Sequence, residues 1–208
     1  MTALTADDAR TFERCMAVGG IALFPTDTVY GLACDPEAQE TVQRLYLLKR
    51  RAAGKPAAVM LFSLELALAA LPELGPRTRA ALEALLPGAV TALVPNPAGR
   101  FSLACGPDPS TLGLRVPALP PALAALHAVR WPVMQTSANA AGAPDARRVA
   151  DVPAPLRAAA DLVLDGGELP GTPSTVLDLR AFEATGRWSV GRAGAVDTDG
   201  LAAALCGL

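Results

Sequence analysis

The sequence predicts an α/β fold, a sheet packed by helices, and three observations carry that expectation. Short apolar runs alternate with segments of helical spacing along the chain, the pattern of strands and the helices that cover them. Hydrophobic residues make up 51% of the 208 residues against 18% charged, enough for a full core, and a chain this long buries roughly 70% of its unfolded surface. The longest apolar stretch, 57–71, carries Glu65 and is shorter than the ~20 residues a bilayer crossing requires, so no membrane span is expected.

Each element has a local reason. Thr5 with Asp8 three positions on forms a capping-box variant, and Ala9, Phe12 and Met16 then recur at helical spacing until Gly19-Gly20 stop the pattern. Ile21–Phe24 is a short apolar run. Asp35-Pro36 places an N-cap acid before a first-turn proline, opening a second helix with Ala38, Val42 and Leu45 on one face and Lys49-Arg50-Arg51 at its end. A strand at 57–62 and helices at 64–71 and 76–86 follow, then a Pro87-Gly88 turn into the strand Ala89–Val94. Leu112–Val116 reads as strand, 120–130 as helix, Pro132–Gln135 as strand, 154–160 as helix, and 162–164 and 175–179 as strands. The loop-rich stretches 95–111 and 140–154 do not establish a linker, so one domain over 1–208 is the expectation.

Composition narrows the chemistry. A net charge of -2 argues against a disordered chain or a wholesale polycationic nucleic-acid binder, although a local basic patch remains open. Only Lys49 and Lys55 are lysines; the other sixteen of the 18 basic residues are arginines, which nearly locates any functional lysine. Cysteines at 15, 34, 105 and 206 form no CxxC pair, so reduced thiols rather than a zinc ribbon are expected. Asp7 and Asp8 stand where a secretory leader would be basic, which points to the cytoplasm. The single histidine, His127, excludes HExxH chemistry, and its Ala- and Leu-rich surroundings give it a structural reading. No metal-binding cluster is expected, and neither GxxxxGK[ST] nor GxGxxG is present.

Polar residues instead crowd short junctions beside apolar strands, where open α/β sheets meet ligands. FPTDTVYGLACD (24–35) brings two threonines, an aspartate and a tyrosine; MQTSANAAG (134–142) brings Thr136, Ser137 and Asn139; TPSTVLDL (172–179) brings Ser174 and Thr175. Any one of them reads equally well as a turn or a cap. KRRAAGK (49–55) adds Lys49, Arg51 and Lys55, although cations at a helix C-terminus are also expected from the dipole. Arg115, inside the apolar GLRVP, needs an anion or a hydrogen-bond partner if buried, and Arg192 in VGRAG is flanked by glycines that let a ligand approach. Together these residues suggest an anion site.

FPTDTVYGL, Lys49-x-Arg51, PGAVTALV (87–94), GLRVP (113–117), TSANAAG (136–142), STV (174–176) and Arg192-x-Gly194 occur in one order from about residue 10 to 196. This set resembles the YrdC-like threonylcarbamoyl-AMP synthase family in its short form; its longer members carry a further C-terminal domain for which this chain stops too soon. The resemblance implies a twisted open mixed sheet with flanking helices around a concave, positively charged cavity. It implies a nucleotidyltransferase that joins L-threonine, bicarbonate and ATP into threonylcarbamoyl-AMP and pyrophosphate, for a partner transferase that modifies adenosine in tRNA. By the same resemblance Lys49, Arg51, Ser137 and Asn139 form the signature set on the phosphates, Lys55, Thr111 and Arg192 also serve ATP, and Thr28, Arg115 and Ser174 hold threonine. A magnesium ion would be carried by the phosphates, since no protein carboxylate can be assigned to it. Lys55, Met60, Gln135 and Thr136 depart from common family residues without removing a signature one. Two alternatives stay open: an RNA-binding module using the basic cluster, and a paralogue of the same fold acting on another carbamoyl or acyl substrate, as in the carbamoyl-adenylate-forming domain of hydrogenase maturation proteins.

Overall fold

The computed structural model describes residues 3–50, 54–140 and 142–208. Helix α1 (Ala6–Ala17) starts at the expected capping box: Thr5 accepts from the Asp8 N–H, and the Asp8 carboxylate accepts from the Thr5 N–H at 2.7 Å. Strands β1 (Ala22–Pro25) and β2 (Tyr30–Cys34) then form a hairpin, and α2 (Gln39–Leu48) leads to β3 (Ala58–Met60). Next come α3 (Leu64–Ala70), α4 (Pro76–Leu85), β4 (Val90–Pro95), α5 (Ser102–Cys105) and β5 (Thr111–Arg115). A 3-10 helix (Pro121–Ala128) precedes β6 (Val133–Ser137), and a 3-10 turn (Val149–Asp151) precedes α6 (Ala154–Ala159) and β7 (Leu162–Val163). The chain ends with β8 (Thr175–Asp178), α7 (Phe182–Thr185), β9 (Ser189–Arg192) and α8 (Thr198–Ala204).

All nine strands join one sheet in the order β7-β1-β2-β6-β3-β5-β4-β8-β9. β7 with β1, β3 with β5 and β4 with β8 run parallel, while the remaining neighbours are antiparallel, so the sheet is mixed as expected. Because residues paired across strands share a face, the register sorts the side chains. Leu32, Val59, Leu112, Leu114 and Met134 point one way into a core with Val42 and Leu45 of α2 and Ala81 and Leu82 of α4. On the other face Phe24, Ala33, Met60 and Val133 meet Phe12 and Met16 of α1, with Phe12 5.1 Å from the Phe24 ring and 5.7 Å from Phe62. Burying one such ring is worth about 2 kcal/mol, and that stripe fixes α1 over one end of the sheet. The middle of the same face carries Gly31, Ala58 and Gly113, and the space over Gly31 is taken by the Gln135 side chain and the edge of the Phe24 ring.

Several elements differ from the sequence expectation. Asp35-Pro36 does not begin α2: the Asp35 carboxylate accepts from the Glu37 N–H at 2.8 Å in a separate turn, and the helix starts three residues later without a side-chain cap. Residues 30–34 are a strand rather than part of a polar loop; buried on both faces, Tyr30–Cys34 has no alternation to reveal it. β9 was likewise unread, since Ser189–Arg192 is a mostly exposed edge strand. The helix expected over 120–130 is a 3-10 helix: Pro120 and Pro121 open it, and i→i+3 bonds, Leu123 N–H to Pro120 O and Val129 N–H to Leu126 O, hold its ends.

Candidate functional site

The C-terminal end of α2, capped by Lys49, meets the end of β6. Lys49, 7% exposed, donates from Nζ to Thr136 Oγ1 at 3.3 Å, to the Ser137 carbonyl and to Asn139 Oδ1 at 3.4 Å. Ser137 Oγ donates to Asn139 Oδ1 at 2.7 Å, and Asn139 Nδ2 donates to Ala143 O at 2.7 Å and to Asp145 Oδ1 at 3.0 Å, so the amide is clamped from both sides. α2 stops because Arg50 turns into the left-handed region at φ 48, a place more often given to glycine. Thus Lys49, Ser137 and Asn139 converge, as the family resemblance implied, while Arg51 lies outside the described residues.

A second cluster forms around Arg115, whose side chain is 2% exposed. Its guanidinium pairs with Asp27 and donates to Thr28 Oγ1 at 2.8 Å. Asp27 also accepts from the Ala118 N–H at 3.1 Å, and Thr28 lies 3.1 Å from Thr26, whose hydroxyl donates to Val29 O. Arg115 Nε is sealed from solvent with no partner, a donor left over in the site. Burial pushes Asp27 upward and Arg115 downward from their ordinary values, each opposed by its partner's charge. Two buried opposite charges in contact hold one another ionised, and removing either would leave the other stranded.

A third group adjoins it. Ser174, just before β8, shares a hydrogen bond with Thr91 of β4 at 2.8 Å, and Arg192 at the end of β9 donates to Ser174 O at 2.7 Å. The positive charge of Arg192 is close enough to disfavour that of Arg115, so two guanidiniums share one region.

The sheet order makes the contact between Thr28 and Arg115 informative. Between β2 and β5 lie β6 and β3, so three strand spacings of ~4.8 Å separate them in a flat sheet. The β1–β2 turn still reaches Arg115, so it crosses the face that carries Gly31, Gln135, Ala58 and Gly113, and the stretch of that face between the Lys49 and Arg115 clusters is the candidate hollow. Tyr30 holds that turn: its buried hydroxyl donates to Gly167 O at 2.8 Å and accepts from the Gly166 N–H at 3.0 Å, while the Gly171 N–H donates to Thr28 O at 2.9 Å.

Register also places Thr111. Gln135, Ala58 and Gly113 are paired in a row, and Ser137 and Thr111 each lie two residues from it toward the same end of the sheet. The Thr111 hydroxyl donates to Asp108 at 2.8 Å beside a cavity of about 360 Å³ lined by Asn96, Ser110 and Arg180. Lys55 is exposed, and its carbonyl accepts from Tyr46 of α2 at 2.7 Å. His127 Nδ1 sits 3.1 Å from Phe62 O under α1, apart from all of these, in keeping with its structural reading. A cavity of about 670 Å³ beside Gly19 and Gln39 contains none of the expected residues.

Sequence reasoning noted Thr26 and Asp27 within FPTDTVYGL without giving either a role, and passed over Thr91 and Asp145. Asp27 had a signal: a buried strand arginine demands an anion, and FPTDTVYGL offered one. Thr91 was a lone hydroxyl in an apolar strand, and Asp145 acts only by clamping Asn139. Among the described residues no group of His, Cys, Asp and Glu could hold a metal ion, and no helix is long and apolar enough to cross a membrane.

A mixed open sheet with an arched hairpin over clustered cations, hydroxyls and an amide defines a YrdC-like α/β domain. Residues 14–194 match the family Sua5_yciO_yrdC, described as "Telomere recombination", and the chain belongs to that family. A curated relative, threonylcarbamoyl-AMP synthase of Xanthomonas campestris pv. campestris (strain B100), is 36% identical over 169 residues, covering 79% of this chain and 89% of its own. The protein of the same name from Cellvibrio japonicus is 34% identical over 167 residues, with 79% and 87% covered. Among solved structures, P. abyssi Sua5 complexed with L-threonine superposes with a TM-score of 0.80 at 24% identity, over 98% of this chain and 58% of that one. E. coli YciO gives 0.76 at 23%, over 96% and 95%. At these identities the two structures establish the shared fold.

Proposed function

We propose that this chain is an L-threonylcarbamoyladenylate synthase, a nucleotidyltransferase acting as one YrdC-like unit in the cytoplasm. The observation that carries the reading is the convergence of Lys49, Ser137 and Asn139 beside a buried Arg115–Thr28–Ser174 group, in a chain whose relatives bear that enzyme name. The threonine amine and bicarbonate give a carbamate and water; a carbamate oxygen then attacks the α-phosphorus of ATP, its bond to the bridging oxygen breaks, and pyrophosphate leaves. No protein nucleophile is needed, so positioning and charge stabilisation carry the rate.

The residues divide that work. Arg115 and Thr28 receive the threonine carboxylate, with Ser174 and Thr91 on its hydroxyl side. Lys49, Arg51, Ser137 and Asn139 take the phosphates, with Arg192, Thr111 and Lys55 on the nucleotide side. A magnesium ion fits as a passenger of the phosphates, where it would offset their charge, because the groups assigned to them are cationic or neutral and the neighbouring carboxylates, Asp145 and Asp108, are engaged by Asn139 and Thr111. The product would pass to a tRNA-modifying threonylcarbamoyl transferase.

The test is pyrophosphate release from ATP with bicarbonate, with and without threonine. Release that requires threonine and disappears in Arg51→Ala with the fold intact supports the reading, and threonine-independent release contradicts it. RNA affinity that falls steeply with salt and with neutralisation of Lys49, in a protein without turnover, would favour the RNA-binding alternative instead.

A further inference from the structure

Gln135 is the one long polar side chain on the floor of the hollow, and nothing in the fold accounts for it. It lies in β6, paired with Ala33 on one side and Ala58 on the other, with Gly113 next in the row. The residue is 7% exposed, yet among the described residues its carboxamide makes no hydrogen bond. The polar atoms sealed without partners are Thr78 Oγ1 and Arg115 Nε, so the small exposure Gln135 keeps includes its amide end. A buried amide left without a partner costs free energy unless a ligand or water supplies one. Gly31 makes room for it: a Cβ there would stand 2.8 Å from Gln135 Nε2 and 3.3 Å from Cγ. Since Gly31 is on β2 and pairs with Ser137, the side chain leans over β2 toward the Ser137 row, with Phe24 Cε1 3.2 Å from the same point.

We propose that Gln135 binds the one-carbon oxyanion of the reaction, bicarbonate and then the carbamate carboxylate, through its side-chain N–H. This deepens the synthase reading and rests on it for the identity of the ligand. Between a threonine held at Arg115 and a triphosphate held at Lys49, the group that joins them is a small planar carboxylate. A neutral amide donates to it without adding a cation that would compete for the phosphates. Gly31 and Gln135 therefore act as a pair, one vacating the space the other uses.

Steady-state kinetics on Gln135→Met, which keeps the length and packing but removes the donor, should show the KM for bicarbonate raised about tenfold with those for threonine and ATP within about twofold. Gly31→Ala, which pushes the amide aside, should reproduce the selective effect. An unchanged bicarbonate KM in Gln135→Met, or an equal rise in all three constants, overturns the assignment. A readout independent of turnover uses the ¹⁵N-labelled side-chain amide of Gln135, identified by its loss in Gln135→Met. With threonine and a non-hydrolysable ATP analogue present, bicarbonate should shift that signal. A shift in a wild-type protein that releases no pyrophosphate would sink the synthase reading while the oxyanion site stands. No shift, with or without turnover, overturns the site.

Discussion

The two ends of the hollow are built differently. The end we assign to the phosphates is assembled from termini: the last turn of α2, the end of β6 and the loop after it supply Lys49, Ser137 and Asn139, held by carbonyls and amides. The end we assign to the amino acid is built into the sheet, where Arg115 is a strand residue 2% exposed and locked to Asp27 and Thr28. Termini can adjust to a flexible, highly charged triphosphate, whereas a strand-borne guanidinium fixes a small zwitterion in one orientation. Catalysis in line needs both, a rigid nucleophile and an electrophile drawn onto it.

On that contrast, damage at the end assigned to the amino acid should appear as lost stability and damage at the end assigned to the phosphates as lost rate. The largest effect is expected for Arg115→Met, which strands the Asp27 carboxylate: about 3–5 kcal/mol of unfolding free energy by urea titration, with threonine binding abolished in calorimetry. Adding Asp27→Asn should restore much of the stability without restoring binding. Lys49→Met should leave threonine affinity within about twofold while lowering threonine-dependent pyrophosphate release by on the order of 10²–10³. Ser174→Ala, which removes one hydroxyl contact and its bond to Thr91, should weaken threonine binding about fivefold.

Two smaller effects sharpen the boundary. Arg50→Gly relieves the left-handed residue that ends α2 and should raise unfolding free energy by about 1 kcal/mol without altering threonine affinity. Asp8, Asp108 and Asp178 are held below their ordinary value of 3.8, chiefly by hydrogen bonds from Thr5, Ser110 and Arg180 respectively. Their folded values are the lower ones, so the stabilisation is present above 3.8 and lost as pH falls through those values. The melting temperature, followed by circular dichroism, should hold between about pH 6 and 5 and drop below about pH 4.

The sequence made one end of the hollow far easier to see than the other. Lys49 and Ser137-x-Asn139 sit in short motifs that read singly as caps or turns, so their convergence was legible only through the ordered set that resembles a family. The helix α1 was legible too, because a capping box and a 3.6-residue stripe are local signals. β2 was not, since a strand buried on both faces shows neither alternation nor polarity, and its loss hid the hairpin that carries Asp27 and Thr28 over the sheet. Asp35-Pro36 misled for the opposite reason: a good capping dipeptide was used in an independent turn. The contact of the Gln135 side chain with Gly31 follows from register between residues 104 positions apart in the chain, which no local pattern encodes.

A crystal structure with threonine and a non-hydrolysable ATP analogue tests the central claim most directly. The threonine carboxylate should lie within hydrogen-bond distance of Arg115 and Thr28, the phosphates within reach of Lys49, Ser137 and Asn139, and the amine should face the α-phosphorus across the floor at Gln135. A nucleotide bound elsewhere, or a threonine whose amine is turned away from the phosphates, would contradict it.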